Sequence, residues 1–224
     1  EDNGAGVIFE WDPVTNIFEK KIEFSSAKGA APAGSLLLLG SKFYGLTSKA
    51  GQYNKGTVFS WDPLSNQFNK LADFDGTNGA SPFGGLTYLN NKFYGLCYQG
   101  GNLNQGTLFE FDPSNNQISA KASLGSSTGY FPYGNLSAIG SKLYGMTTRG
   151  GVADFGAIFE YDVPSNSLVK KIDFAIATGG FAYGDLIYNG QSFYGFAGFG
   201  GANFFGVIFE WNPVTNVFTN KYSF

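Results

Sequence analysis

The feature that most constrains this chain is a period of 50 residues. GVIFEWDP at 6 returns as GTVFSWDP at 56, GTLFEFDP at 106, GAIFEYDV at 156 and GVIFEWNP at 206, without insertion or deletion. A second block alternates with the first: LLLLGSKFYGLT, LTYLNNKFYGLC, LSAIGSKLYGMT and LIYNGQSFYGFA. Periodicity of this size means a repeat architecture in which each unit buries its apolar face against its neighbours, so the fold is argued from one unit.

Each unit holds four short strand candidates separated by turn signals. Strand A, such as residues 57–61, alternates Phe59 and Trp61 with Val58 and Ser60 and ends in Asp-Pro-x-Ser/Thr-Asn. Pro presets φ at the second turn position, while Asp and Asn bond nearby backbone N–H groups. Strand B comes next as the most polar and lysine-rich of the four, as expected of an exposed edge, with Phe68, Lys70, Ala72 and Phe74 expected on one face. Strand C, around residues 86–89, and strand D, residues 92–96, are apolar on both faces and must be covered by protein. Gly45, Gly95, Gly145 and Gly195 interrupt strand D at one point, where the spacing predicts close approach of another backbone near a crowded axis. The 33 glycines, about twice the usual share, fit a chain full of tight turns. Four antiparallel strands, apolar inside and polar at the outer edge, describe the blade of an all-β propeller. The alternative is a β-solenoid, which does not need so many hairpins.

Residues 74–110, FDGTNGASPFGGLTYLNNKFYGLCYQGGNLNQGTLFE, resemble the Gloeo-Verruco (GloVer) tandem repeat of bacterial surface proteins. The shared pattern is Phe, Gly-Ala-x-Pro, Gly-x-Leu, Leu-Tyr-Gly, Gly-Gly, then Gly-Thr-x-Phe, and it runs through four full periods. Cys97 departs from it at a Thr-like position, Ala182 at the Pro, and Ala50 at the first Gly of the pair. The resemblance implies an extracellular or cell-surface protein, often with a sorting signal near its C-terminus. No such signal is seen here, and the resemblance supplies no catalytic residues. A weaker similarity to kelch repeats, through FEWDPVTN, a Lys-rich strand and a Tyr-Gly strand, also implies propeller blades.

The count of hairpins is uneven: five A–B pairs but four C–D pairs. The chain reads as one repeat domain, 1–224, with a half repeat at 6–24 and blades at about 33–74, 83–124, 133–174 and 183–224. A lone hairpin is at best marginally stable in water, so the spare one needs partners. It can close a five-bladed ring as a half blade, dock on the next molecule of an assembly, or belong to further repeats of a longer array. With no signal peptide at its start, the chain reads as a mature fragment or the ordered part of something longer.

Composition narrows the chemistry. With no histidine and one cysteine, Ser-His-Asp and Cys-His catalysis, His-containing zinc sites and thiolate cages are all excluded. The acids mostly occupy repeat positions, Glu10, Glu110, Glu160 and Glu210 or Asp12, Asp62, Asp112 and Asp162, which points to structural roles. Asp75, Asp154 and Asp185 lie off the pattern, and an acid–base site would need them to gather at one end of the propeller. Cys97 reads as a small buried hydrophobe. No catalytic, metal or cofactor residues are assigned. A formal charge of −3 with no basic stripe argues against nucleic acid, and no aliphatic run is long enough to span a bilayer. Charged residues make up only 14%, well under the ~25% of a typical soluble domain, which suits an extracellular or assembling protein.

What varies between units is aromatic. The loop before strand C offers Phe83, Phe131, Tyr133, Phe181 and Tyr183, expected at one rim of a ring. The D–A loop adds Tyr53, Phe155, Phe204 and Phe205. Such rings either stack on sugars or anchor a neighbouring protein, or else pack blade against blade. Two functions therefore stand open: a non-catalytic extracellular structural module that self-associates, as an oligomer, a fibre or with another surface protein, and a glycan- or protein-binding propeller.

Overall fold

Strand A and strand B form the same hairpin in every period, because the turn between them is written into five residues. In the computed structural model, which describes residues 4–224, Val14 N donates to Asp12 Oδ1 at 2.8 Å, Leu64 N to Asp62 Oδ1 at 2.9 Å and Ser114 N to Asp112 Oδ1 at 2.9 Å. The last turn residue, Asn16, Asn66, Asn116, Asn166 or Asn216, sits in the left-handed region at φ 52–58°, which Asn tolerates better than most residues. Its side chain has a second partner that the sequence pattern does not announce. Trp11, Trp61 and Trp211 donate their indole N–H to the Oδ1 of Asn16, Asn66 and Asn216 at 2.9–3.1 Å, and the Tyr161 hydroxyl donates to Asn166.

The elements run in chain order as β1 (Val7–Asp12), β2 (Ile17–Glu23), β3 (Leu37–Leu39), β4 (Lys42–Thr47), β5 (Thr57–Asp62), β6 (Gln67–Asp73), β7 (Thr87–Leu89), β8 (Lys92–Cys97) and β9 (Thr107–Asp112). They continue as β10 (Gln117–Ser123), β11 (Ser137–Ile139), β12 (Lys142–Met146), β13 (Ala157–Asp162), β14 (Ser167–Asp173), β15 (Ile187–Tyr188), β16 (Phe193–Ala197), β17 (Val207–Trp211) and β18 (Phe218–Ser223). Four sheets are four-stranded and antiparallel in the order C-D-A-B: β3-β4-β5-β6, β7-β8-β9-β10, β11-β12-β13-β14 and β15-β16-β17-β18. β1 and β2 form a sheet of two. The architecture is all-β and propeller-like, made of discrete four-stranded sheets, which is not the continuous stack of a solenoid.

Strand B does not keep Phe68, Lys70, Ala72 and Phe74 on one face as its alternation predicts. A β-bulge shifts the register, so Trp61 pairs with Phe68 and Phe59 with Lys70, but Val58 pairs with Ala72. A bulge inserts one residue and reverses the facing of the residues beyond it. Phe68 therefore packs toward the preceding sheet and Phe74 toward the next. The same shift recurs in every A–B hairpin.

That reversal builds the core, which lies between sheets. Ile8, Ile22 and Phe24 of the half repeat pack on Phe59 and Trp61. Val58 and Phe74 pack on Phe93, Phe109 and Phe111, and Leu108 and Leu124 on Phe159 and Tyr161. Ile158 and Phe174 pack on Phe209 and Trp211. The apolar residue at the end of strand B is pinned by its backbone: Phe24, Phe74, Leu124, Phe174 and Phe224 each donate N–H to the carbonyl of Gly6, Gly56, Gly106, Gly156 and Gly206 at 2.9–3.0 Å.

The strand-D glycines make room for a side chain, not for a backbone. A Cβ at Gly45, Gly95, Gly145 or Gly195 would stand 2.5–2.6 Å from Cζ of Phe59, Phe109, Phe159 or Phe209 on the neighbouring strand. The backbone crowding lies instead in the loop before strand C. A Cβ at Gly84 would stand 2.6 Å from the Gly134 carbonyl oxygen, and one at Gly34 or Gly134 would overlap the carbonyl of Gly84 or Gly184. These residues form a staircase of backbone against backbone, one step per period.

Candidate functional site

The staircase carries the variable aromatics. A cavity of about 290 Å³ opens beside it, lined by Ser35, Phe83, Tyr133, Asn135, Tyr183 and Asp185. Its polar wall is tied together across periods. Gly85 N donates to Asn135 Oδ1, and Asn135 donates through its backbone N–H and its Nδ2 to the Asp185 carboxylate at 2.6 and 2.8 Å. Asn135 is the acceptor of the chain's Asn-Leu-Ser sequon, and its amide nitrogen is thus engaged.

The nine aromatics singled out by sequence fall into separate groups. Phe83 stacks on Tyr133 at 4.9 Å and 9°, and Tyr133 meets the exposed Tyr183 edge-on at 5.4 Å. Phe131 joins them through Tyr98, stacked at 4.6 Å, and Tyr98 also touches Phe83 and Tyr133. Phe181 belongs with Phe155 and Phe199, at 5.4 and 5.7 Å, and the Arg149 guanidinium lies 4.6 Å from its centroid. Phe204 meets Phe199 at 6.2 Å, while Phe205 and Tyr53 are exposed on their loops. Tyr98, Phe199 and Arg149 escape a reading of the sequence because they stand at positions that are Ser, Thr, Gly, Lys or Gln in other units.

Phe131 and Phe181 have φ of 56° and 55°, a conformation costly for a bulky side chain. The backbone there is fixed from both sides. Phe131 N donates to the Gln105 carbonyl at 2.9 Å, and its own carbonyl accepts from the Thr148 hydroxyl at 2.8 Å. Ala31 and Ser81 hold the same conformation in the earlier units, so the scaffold imposes it and the side chain is free to vary.

Among the described residues the acids are held in structural contacts: the cross-strand pair Glu10 and Glu19 shares Lys21, at 3.1 and 2.7 Å. Glu110 and Glu160 accept from the Tyr94 and Tyr144 hydroxyls at 2.6 and 2.9 Å, cross-strand bonds inside a sheet. Burial, reinforced by those carboxylates, raises both tyrosines well above their ordinary value. Asp75 accepts from Thr77 and Asn78 of its own turn, Asp154 pairs with Arg149 at 3.4 Å and accepts from Tyr130 at 2.8 Å, and Asp185 holds Asn135. Asp75 and Asp185 line different cavities, so the off-pattern acids do not gather at one mouth. Cys97 is fully buried, and burial pushes its thiol up, away from the thiolate that reacts.

The second candidate surface is terminal. In the half repeat Phe9, Trp11 and Phe18 are 56%, 55% and 60% exposed, whereas Phe59 and Trp61 at the same repeat positions are buried. Phe9 and Phe18 stack on each other at 4.8 Å. An apolar cavity of about 320 Å³ lies along the free edge of β1, lined by Val7, Phe9, Pro32, Leu36 and Phe59, where a full sheet has its strand D. At the other end Phe196, Tyr222 and Phe224 are exposed, with Tyr222 and Phe224 at 5.1 Å.

Repeated C-D-A-B sheets packed face to face around a backbone staircase define a β-propeller-type repeat protein. The chain belongs to the Gloeobacter/Verrucomicrobia repeat family, whose model matches residues 1–138 and again 90–224. No curated protein sequence matches it. Its fold is similar to that of TolB from Acinetobacter baumannii, at 16% identity and a TM-score of 0.60 over 96% of this chain and 48% of that one. It is similar too to a chain of a nidogen/laminin complex, at 13% identity and a TM-score of 0.60 over 97% of this chain and 71% of that one. A third likeness is to the extracellular domain of BT4673, a hybrid two-component system protein of B. thetaiotaomicron, at 8% identity and a TM-score of 0.60, covering 92% and 24%. The chain thus spans about half of the TolB chain. Family and fold together mark a structural or protein-interaction repeat module.

Proposed function

We infer that the chain is a non-catalytic, extracellular structural module whose copies self-associate through the unpaired half repeat. The observation that carries this reading is the exposure of Phe9, Trp11 and Phe18 in a hairpin whose interior equivalents are core. Apolar patches of this kind on soluble proteins mark interaction sites. The low charge of the chain, 14%, supports an assembling extracellular role. The test is sedimentation of the purified chain over a range of concentrations, with electron microscopy of the heaviest fraction. Concentration-dependent oligomers or fibres lost on Trp11→Asp are expected, and a monomer at every concentration overturns the reading.

A second reading, a glycan-binding mouth, is favoured by one observation. Tyr183 is exposed beside Asp185 over the axial cavity, an aromatic face next to a hydrogen-bonding carboxylate. Saturable binding on a glycan array, lost on Tyr133→Ala and Tyr183→Ala, would support it.

A further inference from the structure

We propose that the face closing the last sheet of one copy is the seat for the half repeat of a second copy, sheet on sheet, with Phe224 packed against Phe9 and Phe18 of its neighbour. This rests on the self-association reading and gives it a partner surface, a register and a polarity.

The register comes from the packing inside the chain. Phe24 meets Phe59 at 5.2 Å and Phe68 at 5.6 Å. Phe174 meets Phe209 at 5.5 Å and Phe218 at 6.1 Å, and Phe74 meets Phe109 at 4.9 Å. In each case the ring that ends strand B contacts rings 35 and, in two cases, 44 positions further on. Phe224 is the next member of that series, with its N–H on Gly206 as Phe24 has its own on Gly6. The side chains that occupy the required places, counted in whole periods, are Phe9 and Phe18.

Both surfaces have the geometry of their buried counterparts. In the half repeat Phe9 pairs with Lys20 and Trp11 with Phe18, as Phe59 pairs with Lys70 and Trp61 with Phe68. On the last sheet Ile208 pairs with Tyr222, as Ile8 pairs with Ile22. Ile8, Ile22 and Phe24 are the residues that receive Phe59 and Trp61 within the chain. The end face therefore repeats a surface already seen holding the kind of face that the half repeat offers. Phe224 is 48% exposed and Phe196 55%, so neither ring is covered by another described residue. The two faces differ, which makes the joint heterologous and the assembly head-to-tail.

The experiment uses two double variants of the full chain: Phe9→Asp with Trp11→Asp, and Phe196→Asp with Phe224→Asp. All four side chains are exposed, and Trp11→Asp gives up only the indole bond to Asn16, so circular dichroism of each variant should keep the β signature, with Phe9→Asp alone as the control that leaves that bond in place. Each variant alone should sediment as a monomer, its association weakened on the order of 100-fold. Their equimolar mixture should give a dimer and nothing larger, since it holds one intact face of each kind. Association of the second variant with itself would mean that two half repeats meet, and overturns the inference. A wild type that assembles while the mixture stays monomeric overturns it as well, and leaves self-association through another surface. A wild type that never assembles overturns both. As an independent readout, Phe18→Cys with Phe224→Cys should oxidise to a ladder of covalent multimers, with Cys97 buried and silent. Intramolecular closure, or no ladder from an assembling protein, would count against the joint.

Discussion

Trp11 and Trp211 stand in nearly the same stretch of sequence, GVIFEWDPVTN and GVIFEWNPVTN. Both lie at the same point of strand A, and both donate an indole hydrogen bond to the Asn five residues on, at 3.1 Å. Trp11 is 55% exposed and Trp211 is fully buried. The hairpin is thus set by local chemistry, and burial by what the rest of the chain lays beside it. Trp211 has Phe193 stacked at 5.6 Å and Tyr144 at 5.8 Å; among the described residues nothing equivalent lies beside Trp11, since β1 pairs there only with β2.

The comparison breaks most readily at the core. Phe209→Ala should cost about 3–5 kcal/mol in urea unfolding, whereas Phe9→Ala in the monomer should cost less than about 1 kcal/mol; equal costs would mean that the half repeat is packed in solution. The staircase gives a second contrast. Gly134→Ala forces a methyl onto the Gly184 carbonyl and should cost about 1–3 kcal/mol. Gly184→Ala meets nothing within 4 Å and should leave the thermal midpoint nearly unchanged. The turn supplies the control. Asn16→Ala and Asn66→Ala should each cost about 1–2 kcal/mol, since the left-handed φ and the indole bond are local, with a further loss at Asn66, whose Nδ2 also donates to the Lys21 carbonyl of the half repeat at 3.2 Å. A cost confined to Asn66 would mean that its bond to Lys21, and not the turn, carries the effect.

The smallest effect expected is one of pH. A hydrogen bond from Lys92, with two more from Ser114, holds the Asp112 carboxyl at about 2, below its ordinary 3.8. A carboxyl held low in the folded state stabilises it above its unfolded value, and that contribution is lost as pH falls from about 4 toward 2. Asp112→Asn should flatten the fall of the thermal midpoint over that window, while the last sheet, which already has Asn212 at the equivalent position, contributes nothing to it there.

The period, the four strands per unit and the Asp-Pro turns were legible because each has a local cause that recurs along the chain. The bulge in strand B was not, since an inserted residue leaves the polar-apolar alternation looking continuous while it reverses Phe74 relative to Phe68. The strand-D glycines read correctly as a point of crowding but not as crowding by Phe59 and its equivalents, because sequence shows a missing side chain and not what fills its place. Beside the cavity, Phe83, Tyr133 and Tyr183 were legible as departures from the repeat, while Tyr98, which touches Tyr133, and Arg149, over Phe181 in the other group, come from a loop that carries no common pattern.

At the staircase of Gly34, Gly84, Gly134 and Gly184 successive units approach main chain to main chain. A gauge made from atoms that every residue shares is indifferent to the side chains mounted beside it. Positions 83, 133 and 183 can therefore change their rings without moving the steps on which they stand, because the close approach belongs to the glycines.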